Sequence, residues 1–139
     1  MKKPKQIIIE ATAECNLRCK YCPSPFAVGS HMDLSLFESI VRRASEEMPE
    51  VTLIPWMNGE PLLHPEYDLM LGLIEHYDMK AYVTTNGMIW NQEVFEIIAD
   101  PSNQFYQIIF SLDGVPGSRS IRAARPGSDE ERILENVHR

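Results

Sequence analysis

No uninterrupted apolar run in this 139-residue chain approaches the roughly 20 residues that a bilayer-spanning helix needs. The early run Ile7-Ile8-Ile9 ends at Glu10, so the basic start Lys2-Lys3-Pro4-Lys5 has no apolar region of signal-peptide length behind it. Positive charge is also in deficit. The 13 Lys and Arg stand against 20 Asp and Glu, a formal charge of -7, which repels a phosphate backbone and makes nucleic acid an unexpected partner. Cysteine is scarce: the three present fall within eight positions, an odd number that makes a poor disulfide framework and a good metal loop. There is no linker, repeat array or low-complexity tract. These absences leave a cytoplasmic chain of one domain as the expectation, with 44% apolar and 24% charged residues and with its thiols kept reduced.

What is present is an alternation of short β-branched runs with segments of helical period, the pattern of βα units and a parallel sheet. Four strands are expected, at about Gln6–Ala11, Val51–Pro55, Lys80–Thr84 and Gln107–Leu112. A helix is expected from Ser35 to about Met48, with Leu36, Phe37, Ile40, Val41, Ala44 and Met48 on one face. Ser35 and Glu38 read as its capping box and Pro49 as its stop. A second helix is expected over about Glu66 to Tyr77 with Pro65 in its first turn, and a third over about Gln92 to Ala99, burying Trp90 and Phe95. The last begins at Ser128, capped with Glu131. The unusual segments all fall at carboxyl ends of strands: the cysteine loop after the first, Asn58-Gly59-Glu60-Pro61 after the second, Thr84-Thr85-Asn86-Gly87 after the third, and Ser111-Leu112-Asp113-Gly114 closing the fourth. In parallel α/β folds those ends share one face, and that face carries the site.

Cys15, Cys19 and Cys22 offer soft sulfur donors on one loop, the ligand type of an iron–sulfur cluster. A zinc site completed by His31 or His64 is the alternative, weakened by the absence of the second Cys or His pair usual in zinc modules. Three inert buried cysteines is the bland reading. Gly-Glu-Pro and Asp-Gly, taken singly, read as ordinary turns. Trp56 and Met57 read as apolar packing beside a cofactor or the core, His64 as a helix-start residue or pocket wall, and Arg122 and Arg125 as solvated surface arginines in preference to a bidentate grip on a carboxylate at the pocket mouth.

Taken together the motifs carry a resemblance. CNLRCKYCP resembles the CxxxCxxC cluster motif of the radical S-adenosylmethionine (radical SAM) enzymes, including the aromatic Tyr21 before the third cysteine. NGEPLLHPEY is similar to the family's GGEPLLHP segment, with Asn58 in place of a glycine, VTTNG to its TNG segment and SLDG to its SLDG segment. The likeness runs from Ile7 through Val137, and is nearest the branch of molybdenum cofactor biosynthesis and SPASM-type peptide-modifying enzymes.

The resemblance implies an α/β partial (β/α) barrel in which Cys15, Cys19 and Cys22 ligate a 4Fe-4S cluster and S-adenosylmethionine chelates its open iron. It implies cofactor contacts from Gly59, Glu60, Pro61, Thr85, Asn86 and Ser111, with Asp113 ranked below them. Gly59 would let the backbone approach the ligand and Glu60 would accept from its ammonium. Reductive cleavage would yield a 5'-deoxyadenosyl radical that abstracts a substrate hydrogen, in an oxygen-sensitive enzyme served by a reductant such as flavodoxin or ferredoxin. A peptide or small metabolite is the substrate class implied. Residues 1–139 would supply the first four of six βα units, without the fifth and sixth strands or a C-terminal extension. That leaves an open sheet edge suited to association, and an incomplete cluster- and cofactor-binding module as the competing reading.

Overall fold

The alternation of apolar runs and helical periodicity yields, in the computed structural model, β1 (Gln6–Ile8), α1 (Leu34–Glu47), β2 (Thr52–Ile54), α2 (Tyr67–His76), β3 (Lys80–Thr85), α3 (Gln92–Ala99), β4 (Tyr106–Phe110) and α4 (Glu130–Val137). The structure describes residues 3–22, 30–101, 106–114, 121 and 124–139. The strands form one sheet in chain order, all pairs parallel. Ile7 stands level with Leu53, Leu53 with Ala81, and Val83 with Ile108. Successive parallel neighbours joined by helices are the wall of an α/β barrel, as the sequence indicates. No described helix is long and apolar enough to cross a membrane.

The helical caps differ from those expected. Asp33, not Ser35, caps α1: its carboxylate accepts from the N–H groups of Ser35 and Leu36. The S-x-x-E pattern at Ser35 lies two residues too late, because Asp33 is an equally good capping type two positions nearer the loop. Glu38, freed from a capping role, accepts from the Tyr77 hydroxyl at 3.1 Å. At the other end of the chain Asp129 caps α4 by accepting from Arg132 N–H at 3.3 Å, while the Ser128 hydroxyl is buried with no partner among the described residues. Helix α2 starts at Tyr67, so Pro65 lies outside its first turn. Helix α3 spans the expected residues, with Trp90 and Phe95 half-buried and stacked at 4.0 Å.

Packing is one-sided. Phe37, Val41 and Ala44 of α1 and Tyr67, Met70, Leu71 and Ile74 of α2 are buried against Leu53, Ala81 and Val83 of the sheet. Each large side chain so removed from water contributes roughly 1.5–3 kcal/mol. Leu36, expected on the buried face of α1, is 51% exposed. It sits at the edge of the apolar stripe, where a turn of about 100° per residue carries it away from the sheet. Because strand side chains alternate, the opposite face carries Ile8, Ile54, Tyr82 and Ile109; Ile8 is 57% and Ile109 44% exposed.

Two backbone approaches position the site. Met32 N–H donates to Ala11 O at 2.8 Å and Ala13 N–H to Ser30 O at 3.1 Å, so the cysteine loop leaves and re-enters through a hydrogen-bonded neck. The exit of β2 presses on that neck: a Cβ added at Gly59 would lie 2.0 Å from the Thr12 carbonyl oxygen, and Glu60 N–H donates to Glu14 O at 2.7 Å. The glycine is therefore needed for the approach of one protein backbone to another, a reason the sequence did not show.

A pair of substitutions separates this contact from generic glycine effects. Gly59→Ala is expected to cost about 3 kcal/mol or more through the backbone overlap, seen as a melting temperature lowered by about 10 °C. Gly72→Ala, in α2 with nothing within 4 Å of the added carbon, is expected to stabilise by about 0.5–1 kcal/mol through helix propensity. Equal effects on thermal melts would refute the account.

Candidate functional site

Short β1 and β2 leave the ladder early, so the segments after Ile8 and Ile54 turn over the carboxyl edge of the sheet and enclose a cavity of about 170 Å³. Cys15, Cys19 and Cys22 line it from the loop after β1, and Gly59 and Glu60 from the turn after β2. Thr85 and Asn86 line it from β3 and Ser111 from the end of β4. Pro61 does not border it; it opens the 3-10 turn Pro61–Leu63 and is buried there. Asp113 stands outside the cavity and reaches it through its partners.

Glu60 is the hub. Only 2% exposed, its carboxylate accepts from the Thr85 hydroxyl (Oε1, 2.7 Å), Asn86 N–H (Oε2, 2.7 Å) and Leu62 N–H (Oε1, 3.3 Å). Burial raises its pKa, and those three hydrogen bonds, with the Arg125 charge, oppose the rise without cancelling it. A carboxylate has about four acceptor positions. Three are filled here, which leaves one on Oε2. The Thr85 hydroxyl is spent on Glu60 and accepts in turn from Gly87 N–H at 3.1 Å. Asn86 accepts from Met88 N–H at 2.9 Å and donates to Asn16 Oδ1 at 2.7 Å. Ser111 N–H donates to Thr85 O at 2.8 Å. Gly87, at φ 75°, turns the chain after β3 beneath Ile133 of α4. Asn136 of α4 donates to the Gly87 carbonyl at 2.9 Å and fixes that turn from above.

A second cluster closes the far rim. Asp113 accepts from both the Tyr21 hydroxyl and Arg125 Nε, and the Arg125 guanidinium lies 5.7 Å over the Tyr21 ring. Lys20 N–H donates to Ala124 O at 3.1 Å alongside. Burial alone would raise the pKa of Asp113, but the bonds from Tyr21 and Arg125 and the arginine charge outweigh it and hold it below the ordinary value. The solvated position expected of Arg125 is therefore corrected: the residue is 8% exposed and lines the cavity. Its neighbours Ala124, Pro126 and Gly127 give no sign of burial, and only the fold brings its guanidinium over the Tyr21 ring. Arg122 lies outside the described residues.

The cysteines are half-buried and free. Burial pushes the Cys15 thiol up, against a hydrogen bond from Leu17 N–H and with Glu60 and the other two thiols adding to the rise. Among the described residues no three His, Cys, Asp or Glu side chains are grouped to hold one metal ion, as a tetrahedral zinc site with sulfurs about 2.3 Å from a common point requires. Ligands to three separate irons need not converge in that way, and three soft sulfurs at one end of a shared cavity fit a cluster. His64 is committed elsewhere. It is 2% exposed, accepts from Glu66 N–H on Nδ1 at 3.1 Å and donates from Nε2 to Met32 O at 3.0 Å, so both ring nitrogens serve to join the neck to the start of α2. His31 sits 3.2 Å from a Glu14 carboxylate oxygen.

One contributor carried no recognisable sequence signal, and two others present polar atoms whose lack of a partner only the fold shows. Asn16 is an unremarked residue between cysteines, and its amide partner is 70 positions away. Trp56, expected to pack beside a cofactor or the core, lines the cavity, with its indole N–H buried and unpartnered among the described residues. Thr84, 8% exposed, does the same with its hydroxyl.

Among curated proteins the chain is 28% identical over 120 residues to the tungsten-containing aldehyde ferredoxin oxidoreductase cofactor-modifying protein of Pyrococcus furiosus, covering 84% of this chain and 33% of that protein. It is 34% identical over 86 residues to the GTP 3',8-cyclase of Campylobacter curvus, covering 58% and 27%. The chain thus spans about a third or less of these relatives. Crystal structures of Streptococcus suis SuiB bound to S-adenosylmethionine and to the precursor peptide SuiA both superpose with a TM-score of 0.79 at 21% identity, over 96% of this chain and 30% and 29% of those chains. That likeness concerns the fold. The radical SAM superfamily model matches residues 9–139. All four strand ends at the cavity fall inside that match, and the chain accordingly belongs to the radical SAM superfamily, whose cofactors are a 4Fe-4S cluster and S-adenosylmethionine.

Proposed function

We propose that these residues form the core of a radical SAM enzyme, with the cluster on Cys15, Cys19 and Cys22 and S-adenosylmethionine against Gly59, Glu60, Asn86 and Ser111. The observation that carries this reading is that the three thiols and the strand-end motifs of all four βα units border one cavity. When bound, the reduced cluster supplies the electron that splits S-adenosylmethionine into methionine and a 5'-deoxyadenosyl radical able to abstract a substrate hydrogen.

The chain's own residues bind and orient. The free acceptor position on Glu60 Oε2 suits the methionyl ammonium, a charge-assisted bond worth more than a neutral one. Thr85 and Pro61 act at one remove: the hydroxyl holds the Glu60 carboxylate in place, and the proline starts the turn that aims it. Asn86 has one amide hydrogen left after serving Asn16. The Ser111 hydroxyl has no partner among the described residues and remains available. Asp113 acts through Tyr21 and Arg125, pinning the third-cysteine end of the loop across the cavity from Glu60.

We propose further that residues 1–139 constitute one domain of four βα units, that a flavodoxin- or ferredoxin-type reductant delivers the electron, and that the protein works in the cytoplasm, where thiols stay reduced. A peptide or small metabolite is the substrate class; a peptide is favoured because SuiB has been solved with one bound. The short coverage of the relatives supports a second reading, in which this segment binds cluster and cofactor but turns over only with a further segment or chain, joined through the open sheet edge.

Anaerobic reconstitution with iron and sulfide, then dithionite and S-adenosylmethionine, is expected to release 5'-deoxyadenosine, and Cys15→Ala, Cys19→Ala or Cys22→Ala to abolish both cluster absorption and product. A cofactor-dependent change in the reduced cluster's electron paramagnetic resonance spectrum without product would select the second reading. Stoichiometric zinc without iron or sulfide would sink both. Glu60→Gln places an amide hydrogen against one of three donors and is expected to cost about 1–3 kcal/mol of stability. It should also weaken S-adenosylmethionine binding about tenfold or more by calorimetry. Unchanged affinity would remove Glu60 from the cofactor site.

A further inference from the structure

Glu60, Thr85 and Asn86 satisfy one another, and Tyr21, Asp113 and Arg125 do likewise, but two polar groups on the cavity wall satisfy nothing. Trp56 Nε1 and Thr84 Oγ1 are both buried, both unpartnered among the described residues, and both border the cavity. A buried donor left unmade costs far more than a typical bond gains, so such groups are rare in folded proteins and each calls for a reason. Thr84 is 8% exposed, which leaves little room for bulk water to serve it.

Their placement is shared. In β3, Thr84 follows Tyr82 by two and so lies on the same side of the sheet; Trp56 stands two residues beyond the end of β2 and borders the same cavity. Ile54 and Tyr82 are half-buried, and with Ile8 and Ile109 they form the apolar side of the sheet that the helices do not cover. The wall therefore reads as an apolar band with a polar rung above it, next to the cavity.

The chemistry of the rung restricts its ligand. Indole N–H only donates, and a threonine hydroxyl donates or accepts, so an atom that serves both must be an acceptor. The charges nearby disfavour an anion. Glu60 borders the same cavity, and Glu10, two residues beyond Ile8 on this side, accepts from Asn58 N–H at 3.0 Å. Arg125, the cation on the cavity wall, is already paired with Asp113. We infer that Trp56 and Thr84 form the substrate-selecting rung of this site, binding the neutral carbonyl oxygen of an amide whose apolar side chain lies on Ile54 and Tyr82. The substrate is then a peptide-like amide rather than a nucleotide or a free carboxylic acid. This builds on reading the cavity as the radical SAM site, and it narrows the peptide or small-metabolite class proposed above by naming the residues that would select an amide.

The chain has two tryptophans, Trp56 and Trp90, so the Trp56 indole N–H gives a nuclear magnetic resonance signal assignable with Trp56→Phe. Titrating the cluster-free chain with N-acetyl-leucine methylamide is expected to move that signal downfield, whereas N-acetyl-leucine and GTP leave it in place. Thr84→Val is expected to weaken the amide's affinity by up to about tenfold. Because both substitutions remove an unsatisfied buried group, Trp56→Phe and Thr84→Val should melt at the same temperature as the wild type or higher. An indole signal that no amide moves overturns the inference, as does one moved equally by the carboxylate. A lower melting temperature in both variants shows the groups to be satisfied structurally and overturns it too. If S-adenosylmethionine moves the signal and Thr84→Val weakens that binding instead, the rung belongs to the cofactor and the inference fails. These outcomes are independent of 5'-deoxyadenosine formation, so loss of the substrate rung and loss of the radical SAM reading are separately visible.

Discussion

A buried carboxylate holds this site together. Glu60 leaves β2, reaches the Thr85 hydroxyl and Asn86 N–H at the end of β3, and through its own backbone N–H grips Glu14 at the base of the cysteine loop. Three successive βα units are thus tied at their carboxyl ends by one residue. The arrangement works because the turn after β2 comes close enough to the loop for that backbone bond to form, and that closeness is set by the missing side chain of Gly59. Packing elsewhere, between α1, α2 and the sheet, keeps the strands in register so that these ends meet.

The same carboxylate explains why the site is polar yet well formed. Desolvating Glu60 is unfavourable, and its raised pKa is the sign of it. Three donors offset much of that penalty while leaving one acceptor position unfilled. A cation arriving there meets a preorganised partner rather than a solvated one, which is how a buried charge becomes a binding device. The opposite rim is organised differently: Asp113 is exposed enough to be partly hydrated, and its value lies in joining an aromatic ring on the cysteine loop to a guanidinium more than 100 positions later in the chain.

Much of this was legible in the sequence. The strands, their parallel order and the convergence of the four motifs follow from local periodicity and from the geometry of βα units, and the cysteine spacing marks a metal loop without help from the fold. What escaped were contacts between distant segments. Asp33 and Ser35 are both cap formers, and pattern alone placed the helix start at the later one. Gly59 read as room for a ligand, when the object it admits is the Thr12 carbonyl. Arg125 sits in a stretch that reads as surface, and its burial depends on where the cysteine loop lies. Asn16, Trp56 and Thr84 are ordinary residue types whose significance lies in what their polar atoms do or do not meet, and no local rule records that.

The bridge from Tyr21 to Arg125 through Asp113 has a consequence for the order of assembly. The three thiols emerge early in synthesis, but the residues that pin their loop arrive about a hundred positions later, and Asn136, which fixes the turn after β3, later still. Until then the cysteine loop is held at its neck, by Glu60 on Glu14 and by Asn86 on Asn16, but not at its third-cysteine end. The placement of the three thiols is thereby coupled to completion of the fourth strand and the helix beyond it, so that a shorter chain would keep its thiols without the contacts that frame their loop.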